Sequence, residues 1–64
     1  MWEIVFMFCA FGTQECLAGQ YTRQTFHTRQ ACYQQIPAVI NPIAEELAAQ
    51  GITGRWQADC REII

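Results

Sequence analysis

Between Trp2 and Phe11 nearly every position is apolar, and the residues divide at period two. Trp2, Ile4, Phe6, Phe8 and Ala10 fall on one side, and Val5, Met7, Cys9 and Phe11 on the other. β-branched and aromatic types dominate, which suits a pleated backbone. With both sides apolar, this segment predicts a strand in the middle of a sheet. One side is to be covered by a helix and the other by loops, a second copy or a partner. Two other readings of the run fit less well. A secretory signal wants a positively charged start and a small-residue cleavage site, whereas the early charge here is Glu3 and the run gives way to Gly12, Thr13 and Gln14. A transmembrane helix wants about 20 apolar residues, roughly twice what is present.

The stretch GTQECLAG, residues 12 to 19, carries two glycines among polar residues and reads as a loop. QYTRQTF, residues 20 to 26, mixes Thr and aromatic residues with polar positions and predicts a second, more exposed strand. Thr28 suits a helix N-cap, and behind it Cys32, Ile36, Val39, Ile40, Ile43 and Leu47 recur every three or four residues as one apolar stripe. Pro37 and Pro42 interrupt the stripe, and each interior proline costs about 3 kcal/mol, so a kink or break is expected. Asn41 before Pro42, then Glu45 and Glu46, then Gly51, has the form of a second helical start and stop. The expectation is therefore a short helix and a longer one, roughly collinear. TGRWQADCRE, residues 53 to 62, alternates Trp56, Ala58 and Cys60 against Arg55, Gln57, Asp59 and Arg61, and predicts a third strand.

These elements define an α+β fold of the order ββαβ. Strands one and two form a hairpin, a kinked or broken helical segment crosses back over the sheet, and strand three returns antiparallel to strand one. The sheet order is two, one, three, which puts the most apolar strand at the centre. A chain of 64 residues is a single small domain that buries only about 60% of the surface exposed when unfolded, so covalent staples are of value. At 52% hydrophobic and 16% charged residues it is too apolar to be disordered.

Cys9, Cys16, Cys32 and Cys60 contain no CxxC pair, and their spacing fits no common zinc module. The topology selects among the three pairings open to four cysteines. Cys9 ends strand one beside the loop carrying Cys16, and Cys32 opens the helix near the edge where Cys60 ends strand three. Cys9 with Cys16 and Cys32 with Cys60 are the expected bridges. Oxidised pairs point to an export compartment, while the missing signal points to a reducing one, where the four would be small buried hydrophobes.

The residues offer little chemistry. The net charge is −2, and the four basic residues Arg23, Arg29, Arg55 and Arg61 are scattered, which is no footprint for nucleic acid. Lysine and serine are absent, removing Schiff-base lysines and serine nucleophiles. His27 is the lone histidine and has no nucleophile beside it in sequence, and Glu45 and Glu46 are explained by a helix dipole without acid–base work. The four glycines are dispersed and make no phosphate loop, and Trp2 and Trp56 fit a core or a sheet face. These features favour a protein that is not an enzyme, takes no cofactor or metal, and works by binding. A thiol-dependent redox role would require an exposed cysteine of low pKa.

Across the chain, IVFMFC, QEC, TRQAC and ADC form a pattern that resembles small proteins carried by bacteriophages and prophages, anti-CRISPR proteins among them. The resemblance implies a non-catalytic inhibitor in the host cytoplasm that blocks target-DNA recognition by occupying a type I CRISPR surveillance complex. It implies no direct contact with nucleic acid or membrane, and a monomer or weak dimer. The modest charge departs from the strongly acidic DNA mimics in that group, which favours steric blocking. Glu45, Glu46, Asp59 and Glu62 are the candidate partner contacts, beside whatever apolar face the helix leaves open. The alternative is a disulfide-stapled structural domain of the periplasm or exterior.

Overall fold

The computed structural model describes residues 1–13 and 15–63. Gln14, assigned to the first loop from sequence, lies outside the described residues. Strand β1 (Trp2–Ala10), strand β2 (Cys16–Phe26), helix α1 (Arg29–Ala49) and strand β3 (Gly54–Glu62) follow in order. They build one antiparallel sheet in the order β2-β1-β3 with α1 across one face. The architecture is the α+β, ββαβ arrangement read from the sequence.

Register fixes which side chains share a face. On the helix side, Ile4 stands between Tyr21 and Cys60, Phe6 between Gly19 and Ala58, and Phe8 between Leu17 and Trp56. Ile4 and Cys32 are fully buried at the centre of the core, with Phe26 and Cys60 around them. The ring centroids of Phe8 and Trp56 lie 4.7 Å apart and extend the core toward the start of β3. On the opposite side Glu3, Val5, Met7 and Cys9 face away from the helix.

Three expectations need correction. β2 begins at Cys16, four residues before the predicted start, because pairing with β1 from Cys9↔Cys16 through Phe6↔Gly19 overrides the loop-like composition of that stretch. Gly19 is in the strand for a packing reason: a Cβ there would lie 2.8 Å from Cζ of Phe6. Further along, between the pairs Trp2↔Phe26 and Ile4↔Tyr21, β2 carries three more residues than β1. The resulting irregularity turns Phe26 back toward the core.

The second correction concerns α1, which is one 21-residue helix rather than a short and a longer one. Pro37 and Pro42 deprive the carbonyls of Tyr33 and Ala38 of their usual donors. All four residues are exposed, so water can serve instead. The inward stripe meanwhile runs unbroken through Ile36, Val39, Ile40, Ile43 and Leu47, each buried or half-buried, and its burial offsets the proline cost. Asn41 is accordingly not a cap. Thr28 is, its side chain accepting the Ala31 N–H at 3.0 Å.

The third correction follows from the second. Glu45 and Glu46 lie toward the C-terminal end of α1, where the helix dipole disfavours acids, and no basic residue occupies its last turn. The helix ends in a Schellman arrangement: the Ile52 N–H donates to the Leu47 carbonyl and the Gly51 N–H to that of Ala48, with Gly51 at φ +80°.

Two disulfides close the structure. Cys32–Cys60 ties the first turns of α1 to β3, and Cys9–Cys16 joins register partners on β1 and β2 with Cα atoms 4.1 Å apart. The Phe11 N–H, donating to the Thr53 carbonyl at 2.9 Å, anchors the hairpin turn to the entry of β3.

Candidate functional site: the open face of the sheet

The side of the sheet away from α1 is assembled from short cross-strand rows. Val5 stands between Gln20 and Asp59, Met7 between Ala18 and Gln57, and Cys9 between Cys16 and Arg55. At the far end Glu3 faces Arg61. This face holds a shallow depression of about 690 Å³, floored by Val5, Met7 and Ala18 and rimmed by Gln20, Gln57, Asp59 and Arg61. An apolar floor with a polar rim is the composition of a protein-binding surface.

The rim is held by its own bonds. Glu3 is only 8% exposed although it is charged. Its Oε1 accepts from Arg61 Nε at 3.0 Å and also from Arg61 Nη2, and that same nitrogen donates to Gln20 Oε1 at 2.8 Å. A buried carboxylate requires such a partner, and Arg61 serves while remaining mostly in solvent. The row Gln20–Arg61–Glu3 thus bridges all three strands. The sequence showed Glu3 only as an early charge. Its partner becomes visible once strands one and three are registered, because Glu3 and Arg61 then stand opposite each other.

A second polar chain runs around the β3 edge. Arg29 Nη2 donates to the Tyr33 hydroxyl at 3.2 Å, and that hydroxyl donates to Asp59 Oδ1, which also accepts the Cys60 N–H at 2.8 Å. The Tyr33 hydrogen bond, then the Cys60 N–H and the Arg29 charge, hold the Asp59 carboxyl below its usual range, and Tyr33 raises Arg29 above its own. Arg29 further lies 5.9 Å from the Trp2 ring centroid and 5.3 Å from that of Tyr33, pinning the helix start to the sheet. The signal available in sequence was the four-residue spacing of Arg29 and Tyr33, which places them on one helix face.

The four acidic contact candidates do not form one patch. Asp59 and Glu62 lie on β3, their side chains on opposite faces by register, and Asp59 is engaged with Tyr33. Glu45 and Glu46 are exposed on α1 about 20 Å of helix beyond Cys32, the residue that marks the level of Cys60. His27 is exposed in the link between β2 and α1. Among the described residues no three His, Cys, Asp or Glu side chains gather as a metal-binding group, and no helix is long and apolar enough to cross a membrane. No protein-family model, curated protein or solved structure matches this chain.

Proposed function

We propose that this protein is a non-catalytic binding module that presents the open face of its sheet to a protein partner. The observation behind the proposal is the Val5, Met7 and Ala18 floor, left open by the helix and framed by a rim already held in place by the Gln20–Arg61–Glu3 row. A prearranged rim lowers the ordering cost of association, which suits binding with little change of shape. The specific partner implied by the phage-type sequence pattern is a type I CRISPR surveillance complex, blocked sterically in the host cytoplasm before it recognises DNA.

The test uses the oxidised chain and a purified surveillance complex. Co-elution on gel filtration with loss of target-DNA binding is expected, and Met7→Glu, which puts a charge on the floor, should abolish both. Normal DNA binding in the presence of excess protein would remove the surveillance complex as the partner.

One observation favours a second reading, a stapled structural domain of the periplasm or exterior. All four cysteines are paired, and such pairs persist in oxidising compartments. Acid quenching of cells followed by alkylation separates the readings. Thiols in the cytosolic fraction support the inhibitor, and oxidised chain outside the inner membrane supports the exported domain.

A further inference from the structure

The two disulfides sit in opposite surroundings. Cys32 is 0% and Cys60 8% exposed, enclosed by α1 and the helix side of the sheet. Cys16 is exposed on β2, an edge strand, and Cys9 is half-buried on the central strand. Register then adds a detail with chemical consequences. Cys9 has Cys16 as its neighbour on β2 and Arg55 as its neighbour on β3, so the cationic residue Arg55 stands opposite Cys9 in the register and on the same face of the sheet. Directly opposed residues have Cβ atoms about 4.5–5.5 Å apart.

We propose that Cys9–Cys16 is a thiol–disulfide exchange site, with Cys16 the sulfur attacked, Cys9 the leaving group and Arg55 the residue that stabilises the departing thiolate. This inference does not depend on the partner reading above. The co-reactant is a small-molecule or protein dithiol. Its thiolate attacks Sγ of Cys16 from the solvent side of the sheet edge. The Cys9–Cys16 bond breaks, its electron pair leaves with Cys9 Sγ beside Arg55, and a new S–S bond joins the attacking sulfur to Cys16. The dithiol's second thiolate then attacks the dithiol's first sulfur in that mixed disulfide, forms the S–S bond between them and releases Cys16 as a thiolate. The dithiol is oxidised to its disulfide, the protein pair gains two electrons, and the released thiolates equilibrate with protons from solvent.

Two electrostatic features set the direction of attack. A positive charge beside Cys9 favours its thiolate, and a better-stabilised thiolate leaves faster. Glu15, preceding Cys16 in the chain, works against a thiolate at Cys16 and so makes it the poorer leaving group. Exposure acts in the same sense, since Cys16 is the more exposed residue of the pair.

The experiment treats the folded, oxidised protein with dithiothreitol and traps samples over time with N-ethylmaleimide for peptide mass spectrometry. Labelling of Cys9 and Cys16 is expected to run at least about tenfold ahead of Cys32 and Cys60. A parallel reaction with 2-mercaptoethanol, an uncharged monothiol, should leave its adduct on Cys16. Arg55→Gln should slow opening of Cys9–Cys16 by roughly two- to fivefold, and Arg55→Lys should restore it. Cys32 and Cys60 should label at an unchanged rate in both variants, which separates a charge effect from loosening of the fold. Equal labelling of the two bridges, adduct on Cys9, or an Arg55→Gln variant at the wild-type rate would each overturn the proposal.

Discussion

The two faces of β1 start from similar sequence and end in different physical roles. Ile4 and Phe8 are buried on the side that α1 covers, whereas Val5 and Met7, equally apolar, floor an open depression. Each face carries one disulfide: Cys32–Cys60 inside the helix-covered layer, and Cys9–Cys16 at the end of the open one. Apolar character alone therefore does not say whether a strand face is core or surface. What divides them is the single helix, which can cover only one side of a three-stranded sheet. The helix-covered face should accordingly govern stability and the open face should be nearly free of that duty.

The largest expected effect tests this with the bridges. Replacing both Cys32 and Cys60 by Ala releases a constraint spanning 28 residues, for which chain entropy alone predicts a loss of about 3–4 kcal/mol. The emptied volume in the core adds to that loss. Against the ~5 kcal/mol typical of the least stable domains, this variant should be largely unfolded at 37 °C by circular dichroism. The pair Cys9→Ala and Cys16→Ala spans only 7 residues whose strands are already hydrogen-bonded, and should cost no more than about 2.5 kcal/mol. A reversed order of the two midpoints in urea would break the comparison.

Single truncations on β1 sharpen it. Ile4→Ala removes side-chain volume from a fully buried position and should cost about 3 kcal/mol, while Val5→Ala, one residue on and half-exposed, should cost under about 1 kcal/mol. Equal losses in denaturant titrations would mean that the open face is covered in solution, for example by self-association.

Close packing on the helix side gives the next effect. A Cβ at Gly54 would overlap the Cys9 carbonyl oxygen and the Phe8 ring, so Gly54→Ala should cost roughly 1–3 kcal/mol. At Gly12 nothing lies within 4 Å and only the φ of +83° opposes a side chain, so Gly12→Ala should cost about 1 kcal/mol or slightly more, from the left-handed backbone alone. Thermal midpoints that rank these two the other way would place the tight contact elsewhere.

How far the sequence discloses this molecule depends on whether a feature is local or made by register. The apolar stripe from Cys32 to Leu47, the alternation of Trp56, Ala58 and Cys60, and the apolar run of β1 are local patterns, and they suffice for the element order and for placing β1 at the centre. The start of β2 is different. Leu17, Ala18 and Gly19 have no strand alternation of their own and are held extended by pairing with β1. The prolines mislead for a related reason, because their cost is local while the packing that outweighs it is tertiary. The open face is less legible still. Val5 and Met7 are visible as apolar, but Arg61 over Glu3 and Arg55 opposite Cys9 exist only once residues more than forty apart in sequence are paired. The sequence points to whatever apolar face the helix leaves open, with Glu45, Glu46, Asp59 and Glu62 as acidic contacts, and of these four Asp59 lines the depression.

The smallest effect concerns the polar chain that joins the two faces. Asp59 belongs by register to the open side, and its carboxylate reaches Tyr33 on the helix around the β3 edge. Its folded pKa is depressed, chiefly by the Tyr33 hydrogen bond and then by the Cys60 N–H. The sign follows: the stabilisation is fully present above the unfolded value of about 3.9 and disappears as pH falls through the lower folded value. Arg29 remains charged throughout that window. The stability difference between wild type and Asp59→Asn, measured by urea titration, should thus be constant from about pH 7 to pH 5 and shrink below about pH 4. Tyr33→Phe should reproduce that loss of acid dependence, and Glu62→Gln, at the exposed end of the same strand, should not. Because Asp59 is exposed, the difference should be small and fall further in 0.5 M salt, a range where the Debye length is only about 4 Å. A difference that survives undiminished at pH 2 would mean that Asp59 acts through its shape rather than its charge. The Cys32–Cys60 bridge, inside the helix-covered layer, would then be what ties α1 to β3 at this edge, and the carboxylate would add no charge-dependent link from the open face.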